Sequence, residues 1–170
     1  MSFAVWLTGL PASGKSAIAR EVLRLLHERG VDASVLESDV MRTQLTPFPR
    51  YDEDDRSFFY GALLEIGAGL VRKGRPVIFD ATANRRHYRD SARLYIERFC
   101  EVYVDTPVEI CQARDVKGLY RNAAVTALPG GGTPYEPPRA PEVVVHGALS
   151  APRDSARMIV AHLRDQGWVT

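Results

Sequence analysis

The run from Gly9 to Ser16 holds the residues whose types and spacing most clearly serve chemistry. It reads Gly-Leu-Pro-Ala-Ser-Gly-Lys-Ser, that is, a glycine, four further residues and then Gly-Lys-Ser. Glycines let backbone N–H groups converge on phosphate oxygens, and the start of a following helix adds partial positive charge. A lysine at this position reaches the terminal phosphates, and the final hydroxyl is a ligand for Mg²⁺. The pattern therefore predicts a loop that binds a nucleoside triphosphate.

The predicted nucleotide contacts comprise this loop, the residue after it and one basic residue further along the chain. They are Gly9, Leu10, Pro11, Ala12, Ser13, Gly14, Lys15, Ser16, Ala17 and Arg114. Lys15 is also a predicted catalytic residue, because phosphoryl transfer needs cations around the transferring group. Ser16 is the predicted metal ligand. The expected cofactor is Mg²⁺, with ATP as co-substrate.

Strand and helix patterns alternate on both sides of the loop. An apolar strand-like run precedes it at 3–7, and a helical pattern follows it at 17–28. Further predicted strands lie at 33–37, 76–80, 101–104 and 142–145, and further predicted helices at 40–45, 53–73, 85–99, 107–113 and 152–166. This alternation predicts an α/β three-layer sandwich around a mainly parallel sheet of about five strands. A length of 170 residues fits one domain, residues 1–170.

Carboxylates and hydroxyls follow several of the predicted strands. Ser38 and Asp39 come after the second strand, Asp80 ends the third, and Asp105 and Thr106 follow the fourth. Ligands of parallel sheets lie beyond the carboxyl ends of the strands, so these side chains indicate one site. Two alternatives stay open here. Asp39 is either functional or a helix cap, and Asp80 is either a partner of Mg²⁺ or water or a cap for the next turn.

Residues 114–141 differ in composition from the rest of the chain. They contain Gly130-Gly131-Gly132 and five prolines, and begin with the basic residues Arg114, Lys117 and Arg121. A long glycine-punctuated basic segment between secondary elements is typical of a lid that closes over substrates. A small domain with such a lid favours a kinase, which must exclude water from two substrates. An Asn-Lys-x-Asp sequence, which would indicate a guanine-reading GTPase, is absent from the sequence.

The bulk composition excludes several classes of function. The chain is 45% hydrophobic and 25% charged with a net charge of +1, so it is a globular chain without a bulk nucleic-acid surface. The sequence contains no apolar run long enough for a membrane span and no signal-peptide pattern, so we expect a cytoplasmic protein. Cys100 and Cys111 are the two cysteines; we expect them to be reduced, with a redox link as the alternative.

Several segments together resemble the adenylylsulfate (APS) kinase family. They are the loop with its helix start (9–19), Ser38-Asp39 with Arg42, Asp55-Arg56, Val104 to Cys111, Ala113 to Tyr120, and Pro134 to Pro137. The resemblance runs from about residue 3 to 145, and residues 105–120 are its most family-specific part. It implies transfer of the ATP γ-phosphoryl group to the 3′-hydroxyl of APS, giving PAPS, as in sulfate assimilation.

The resemblance also implies roles for individual residues. Asp39 would lie near the attacking hydroxyl, Arg42 would hold a phosphate or sulfate of the acceptor, and Lys117 would neutralise transferring charge. Asp39 and Lys117 are therefore predicted to be catalytic and also to bind the acceptor. The full predicted acceptor set is Asp39, Arg42, Arg56, Asp80, Lys117 and Leu119. The family resemblance also suggests a homodimer.

The predicted acceptor half departs from the family pattern. Phe58-Phe59-Tyr60-Gly61-Ala62 replaces a family segment with acceptor-binding Asn and Arg residues. Ala81-Thr82-Ala83-Asn84 replaces Phe-Ile-Ser-Pro, whose aromatic residue stacks on the APS adenine, and the lid lacks the family's Lys-Gly-Phe-Thr-Gly. The aromatic residues at 58–60, or Arg85, Arg86 and Arg89, could supply replacement contacts; core packing for the aromatics and a solvated face for Arg85 and Arg89 are the alternatives.

Two acceptor hypotheses follow from the sequence: APS, or a different small alcohol or nucleotide-linked group. The run Asp80 to Asn84 also resembles the Asp-x-Thr-Asn strand end of another group of small-molecule and polynucleotide kinases. Two further functions remain alternatives, namely a nucleotide-dependent binding module without transfer and a plain NTP hydrolase. Intact Lys15, Ser16 and Asp39 count against the binding module, and the lack of a recognisable water-positioning glutamine counts against the hydrolase.

Overall fold

The computed structural model describes residues 2–115, 118–121, 128–131 and 133–170. The strands are β1 (Ala4–Thr8), β2 (Ser34–Glu37), β3 (Val77–Asp80), β4 (Phe99–Asp105) and β5 (Val143–His146). The helices are α1 (Lys15–His27), α2 (Ser38–Leu45), α3 (Glu53–Arg72), α4 (Arg86–Tyr95), α5 (Val108–Arg114) and α6 (Pro152–Asp165). Helices and strands alternate except after β2, where α2 and α3 follow one another, and both of these helices were predicted from the sequence.

The five strands form one sheet in the order β2-β3-β1-β4-β5, and every pairing is parallel. The sequence predicted a mainly parallel sheet, and no antiparallel strand is present among the described residues. β1 is the central strand, and all five of its residues are buried. The chain runs from β1 out to β2 on one side, and later from β3 across β1 to β4 on the other. This reversal next to β1 opens a crevice at the carboxyl ends of the strands, where ligands bind in such sheets.

Apolar side chains cover both faces of the sheet, which makes the fold a three-layer sandwich. On one face α1 and α6 pack on residues such as Val5, Leu7 and Val102. On the other face α3 and α4 pack on Trp6 and Phe79, whose rings stack 4.4 Å apart. A strand buried on both faces needs apolar residues at consecutive positions, and this is why β1 and β3 are short apolar runs.

Two expectations for α4 were wrong. The helix was predicted over 85–99, but it ends at Tyr95, and Phe99 begins β4. Ile96 and Phe99 are still buried in the same core as the helix, so the apolar periodicity continues past the helix end. Arg89 was expected on a solvated face, yet it is buried and its Nη1 donates to Glu101 Oε1 at 3.0 Å. A buried charge needs such a partner, so Arg89 is structural.

In the part of the chain that the structure describes, no helix combines enough length with enough apolar residues to cross a bilayer. Cys100 and Cys111 are both buried free thiols. Burial raises the pKa of Cys100 to about 12.

Candidate active site

The glycine-rich loop lies between the end of β1 and the start of α1. Gly14 occupies the position before the helix with φ = 109°, a left-handed conformation that favours glycine. Lys15 is the first helical residue, and it is buried. Its Nζ donates to the carbonyl oxygens of Gly9 at 3.0 Å and Leu10 at 2.8 Å. The ammonium group is thus held within the curve of the loop, which leaves the N-terminal N–H groups of α1 at its open side.

Ser16 and Asp80 meet at the foot of this loop. Ser16 Oγ donates to Asp80 Oδ2 at 2.6 Å, and Asp80 is almost completely buried. They meet because β1 and β3 are neighbours in the sheet, with Leu7 in register with Asp80. A hydroxyl and a carboxylate at the loop are the oxygen ligands that hold Mg²⁺ in nucleotide sites of this geometry. The donor set therefore fits Mg²⁺, and of the two alternatives for Asp80 it favours a partner of Mg²⁺, beside the predicted ligand Ser16.

One cavity of about 540 Å³ opens above the loop, at the carboxyl edge of the sheet. It brings together most of the predicted site residues: Pro11, Ala12, Gly14, Lys15, Ser16, Ala17, Asp39, Arg42, Arg56, Asp80, Arg114 and Leu119. Of the other predicted loop residues, Gly9, Leu10 and Ser13 do not line the cavity, and Ser13 is fully buried behind it. Lys117 lies outside the described residues.

Asp39 reaches the cavity from the start of α2. The helix begins at Ser38, so Glu37 occupies its cap position and neither Ser38 nor Asp39 does. The capping alternative for Asp39 was therefore wrong. Its carboxylate is exposed and lines the same cavity as Lys15. A carboxylate in that place can accept a proton from a bound hydroxyl.

Two arginines line the cavity on the side of α2 and α3. The guanidinium of Arg42 lies over the Phe59 ring at 4.1 Å and 3.6 Å from Asp55 Oδ2, which is longer than a hydrogen bond. Its buried Nη1 has no hydrogen-bond partner in the described part of the chain. Arg56 is buried one turn before Tyr60 on α3. Both arginines can bind an anionic group of a ligand, since guanidinium groups bind phosphate and sulfate in a charge-assisted way.

Most of the side chains that the sequence offers as replacement contacts for the acceptor do not line the cavity. Phe58 is exposed, Phe59 is fully buried in the core, and only Tyr60 lines the cavity. Arg85, Arg86 and Arg89 do not line it. Arg85 pairs with Glu53 and Glu136, Arg86 with Glu136, and Arg89 with Glu101. Core packing is thus correct for Phe59, while the expected solvated face is wrong for Arg89.

Residues distant in the sequence fix the back of the loop, a role that no sequence pattern predicts for them. Thr106 Oγ1 donates to the Ser13 carbonyl at 2.8 Å, and Gly147 lies so close that a side chain there would overlap the same carbonyl. Tyr120 Oη donates to the Pro11 carbonyl at 2.9 Å. Burial raises the pKa of Tyr120 well above its usual value, so this hydroxyl stays protonated and can donate. Thr106 was noted at the sheet edge, but no signal marked Gly147.

Comparisons with known proteins agree with this geometry. The adenylylsulphate kinase family model matches residues 1–146. The adenylyl-sulfate kinase of Synechococcus sp. (strain JA-2-3B'a(2-13)) is 36% identical over 171 aligned residues, covering 97% of this chain and 96% of that protein. The adenylyl-sulfate kinase of Rippkaea orientalis is 34% identical and covers 97% of this chain and 93% of its own length.

A solved structure gives the same result for the fold. The Mycobacterium tuberculosis APS kinase, in complex with AMPPNP and APS, superimposes with a TM-score of 0.88 at 30% identity. The match covers 96% of this chain and 98% of that one. The similarity therefore extends over the loop, the sheet edge and the elements that line the cavity, and the chain belongs to the adenylylsulfate kinase family.

Proposed function

We propose that this protein transfers the γ-phosphoryl group of ATP to the 3′-hydroxyl of APS, giving PAPS and ADP. The observation that carries the proposal is that one cavity joins a triphosphate-binding loop to a carboxylate and two arginines. A triphosphate in the loop would place its terminal group toward Asp39, and an anionic acceptor beside Arg42 and Arg56 would share the same space. Membership of the family supports APS as that acceptor.

The residues on the loop side of the cavity would bind the phosphates of ATP and the Mg²⁺ ion. The loop N–H groups and Lys15 bind the phosphates, and Lys15 exchanges its two carbonyl partners for phosphate oxygens. Ser16 and Asp80 would hold Mg²⁺, which, when bound, offsets negative charge on the phosphates. Arg114, whose Nη2 donates to the Gly147 carbonyl at 2.7 Å, adds a cation at the cavity wall.

The opposite side positions the acceptor. Arg42 and Arg56 bind its sulfate or phosphate, and Asp39 accepts the proton of the 3′-hydroxyl as the oxygen attacks the γ-phosphorus. The new bond joins that oxygen to phosphorus, the bond to the ADP oxygen breaks, and the bonding electrons leave with ADP. Closure of the 114–141 segment as a lid, with Lys117 and Leu119 over the acceptor, stays a prediction from the sequence. The homodimer and the cytoplasmic location stay predictions as well.

A second candidate function is phosphoryl transfer to another small hydroxyl or nucleotide-linked acceptor. The observation in its favour is the lack of a stacking aromatic at the end of β3. Ala81 and Ala83 are buried there, and neither Phe58 nor Phe59 reaches the cavity. The triphosphate half of the site is the same for both candidates.

An acceptor panel tests the two candidates and the non-kinase alternatives. The protein is incubated with ATP, Mg²⁺ and either APS or a set of nucleotides, sugars and alcohols, while ADP and free phosphate are measured separately. We expect ADP to form only with an acceptor and fastest with APS. A different best acceptor would favour the second candidate. ADP with equal free phosphate and no acceptor would show a hydrolase, and ATP binding without turnover would show a binding module.

Gly147→Ala should weaken ATP binding although residue 147 lies far from the loop in sequence. A Cβ at this position would overlap the Ser13 carbonyl and Thr106 Oγ1, so the loop backbone would have to move. We expect the Kd for MgATP, measured by calorimetry, to rise about 10-fold or more. Gly61→Ala is the matched control, because nothing lies within 4 Å of the added carbon on α3. Equal Kd values for the two variants would show that the loop does not depend on this contact.

Asp80→Asn should raise the Mg²⁺ requirement of the reaction. The amide can still accept the hydrogen bond from Ser16, but it lacks the negative charge that favours a divalent cation. We expect the Mg²⁺ concentration for half-maximal rate to rise about 10-fold. Asp165→Asn, at the exposed end of α6, should leave this concentration unchanged. Superimposable Mg²⁺ curves for Asp80→Asn and the wild type would remove Asp80 from the metal site.

A further inference from the structure

The turn that follows β3, residues 81–84, is held in place by hydrogen bonds with three side chains from two other elements, β1 and α3. The Trp6 indole Nε1 donates to the Ala81 carbonyl at 3.0 Å, and Thr8 Oγ1 donates to the Thr82 carbonyl at 2.5 Å. Tyr60 Oη accepts a hydrogen bond from the Ala83 backbone N–H at 3.0 Å. Ala83 has φ = 46°, so this turn keeps a backbone conformation that alanine seldom adopts. The network therefore fixes where the next residue, Asn84, lies.

Asn84 makes two hydrogen bonds of its own, one through its backbone carbonyl and one through its side-chain amide, and the second orients the side chain. Its backbone carbonyl accepts from Glu136 N at 2.8 Å, and its Nδ2 donates to the Pro134 carbonyl at 3.2 Å. A carbonyl oxygen only accepts hydrogen bonds, so the amide nitrogen and not the amide oxygen must face Pro134. The hydrogen bond to Pro134 thus determines which atom of the Asn84 amide is Oδ1, although the oxygen and the nitrogen of an amide have nearly the same shape.

The remaining atom, Asn84 Oδ1, is left without a hydrogen-bond partner in the described part of the chain. Asn84 is 2% exposed, and yet it lines the same cavity as Arg56 and Tyr60. Buried polar atoms of native proteins are nearly always paired, and an unpaired one in a ligand cavity points to a partner on the ligand. Because Oδ1 only accepts, that partner must carry an N–H or an O–H group.

We propose that Asn84 Oδ1 accepts a hydrogen bond from the acceptor substrate and thereby determines acceptor specificity. The inference rests on the proposed function, in which the acceptor is APS. Besides the reacting 3′-hydroxyl, APS carries two uncharged donors, the 6-amino group of adenine and the 2′-hydroxyl of ribose. At this strand end the family pattern has an aromatic residue for stacking. This chain has buried alanines and an unpaired amide oxygen, so hydrogen bonding takes the place of stacking.

A site with a buried acceptor atom rejects a substrate that lacks the matching donor, because the atom then stays unpaired. The test compares kcat/KM for APS, its inosine analogue without the 6-amino group, and its 2′-deoxy analogue. For the wild type we expect a loss of about 10-fold to 100-fold with one analogue and little loss with the other. The analogue that suffers the loss identifies the donor.

The variant Asn84→Ala assigns this discrimination to Oδ1. We expect Asn84→Ala to have a lower kcat/KM for APS than the wild type. Its kcat/KM values for APS and for the sensitive analogue should agree within about twofold. The variant also removes the bond to Pro134, but a structural effect would lower the rates for all three substrates by one factor. Gln112→Ala is the matched control, because Gln112 is an amide whose Nε2 likewise donates to a backbone carbonyl, that of Gly130, but it is exposed and does not line the cavity. It should keep the wild-type ratio.

The outcomes separate this inference from the function on which it rests. APS turnover with equal kcat/KM for all three substrates in the wild type would overturn the role of Asn84 and leave the kinase assignment standing. So would an Asn84→Ala protein that still discriminates. If Asn84→Ala does not fold, the wild-type comparison can still overturn the role of Asn84, through equal kcat/KM for the three substrates. No phosphorylation of APS by the wild type would overturn both proposals.

Discussion

Replacing Lys15 by alanine should reduce phosphoryl transfer by about 10³-fold or more. Lys15 begins α1, is buried, and holds its ammonium group inside the loop through the Gly9 and Leu10 carbonyls. The transferring group spreads negative charge over its oxygens, and a buried cation beside it stabilises that charge more than water does. The measurement is kcat with saturating ATP and APS, taken together with the Kd for MgATP.

Lys73→Ala is the control for this prediction. Lys73 is one of the three lysines of the chain, and it lies exposed beyond the end of α3. Its replacement should leave kcat unchanged within about twofold. A Lys15→Ala protein that is folded, as judged by an unchanged thermal transition, and retains a tenth of the wild-type kcat would contradict a catalytic role for this lysine.

Asp39→Asn should lower kcat by about 10²-fold to 10³-fold and leave the Kd for MgATP nearly unchanged. Asp39 is exposed to the cavity at the start of α2, whereas Asp80 is buried against Ser16. In the proposed reaction the two carboxylates therefore have different roles, with Asp80 on the metal side and Asp39 on the acceptor side. An amide keeps the size of the side chain but cannot take the proton of the hydroxyl.

Asp154→Asn provides a matched control, because Asp154 also lies in the first turn of a helix and is exposed. We expect Asp154→Asn to have the wild-type kcat. If removing a charge near a helix start were enough to lower kcat, both variants would show the loss. If Asp39→Asn turned over APS at the wild-type rate, another group would have to accept the proton. A parallel rise in the Kd for MgATP would instead move Asp39 to the nucleotide side.

The nucleotide half of the site could be predicted from the sequence because its parts are close together in the chain. Eight consecutive residues define the loop, and the strand and helix around it follow from local apolar patterns. The convergence of Asp39 and Asp80 on the loop also follows, since the carboxyl ends of parallel strands meet at one edge. The cavity unites these residues as that rule requires.

The acceptor half could not be predicted to the same degree, because its contacts join distant parts of the chain. Asn84 is oriented by Pro134, fifty residues away. Distant contacts also hold the back of the nucleotide loop, where Thr106 donates to the Ser13 carbonyl and Gly147 lies against it. No local pattern marks such pairs. A distant partner also explains the wrong expectation for Arg89. Its spacing from Arg85 indicated a solvated helix face, but Arg89 pairs in the interior with Glu101 of β4. The same limit of local patterns explains α4, where buried Ile96 and Phe99 continue the apolar period beyond the last helical turn.

The position of the transferred phosphate is the most direct test of the proposed reaction. The protein is incubated with APS and ATP labelled in the γ-phosphate, and the nucleotide products are separated and identified by ³¹P NMR. We expect the label on the 3′-oxygen of the acceptor, in an amount equal to the ADP formed, and we expect Lys15→Ala and Asp39→Asn to prevent its transfer. Label found only in free phosphate, or APS recovered unchanged while another hydroxyl acceptor carries the label, would contradict the proposed reaction.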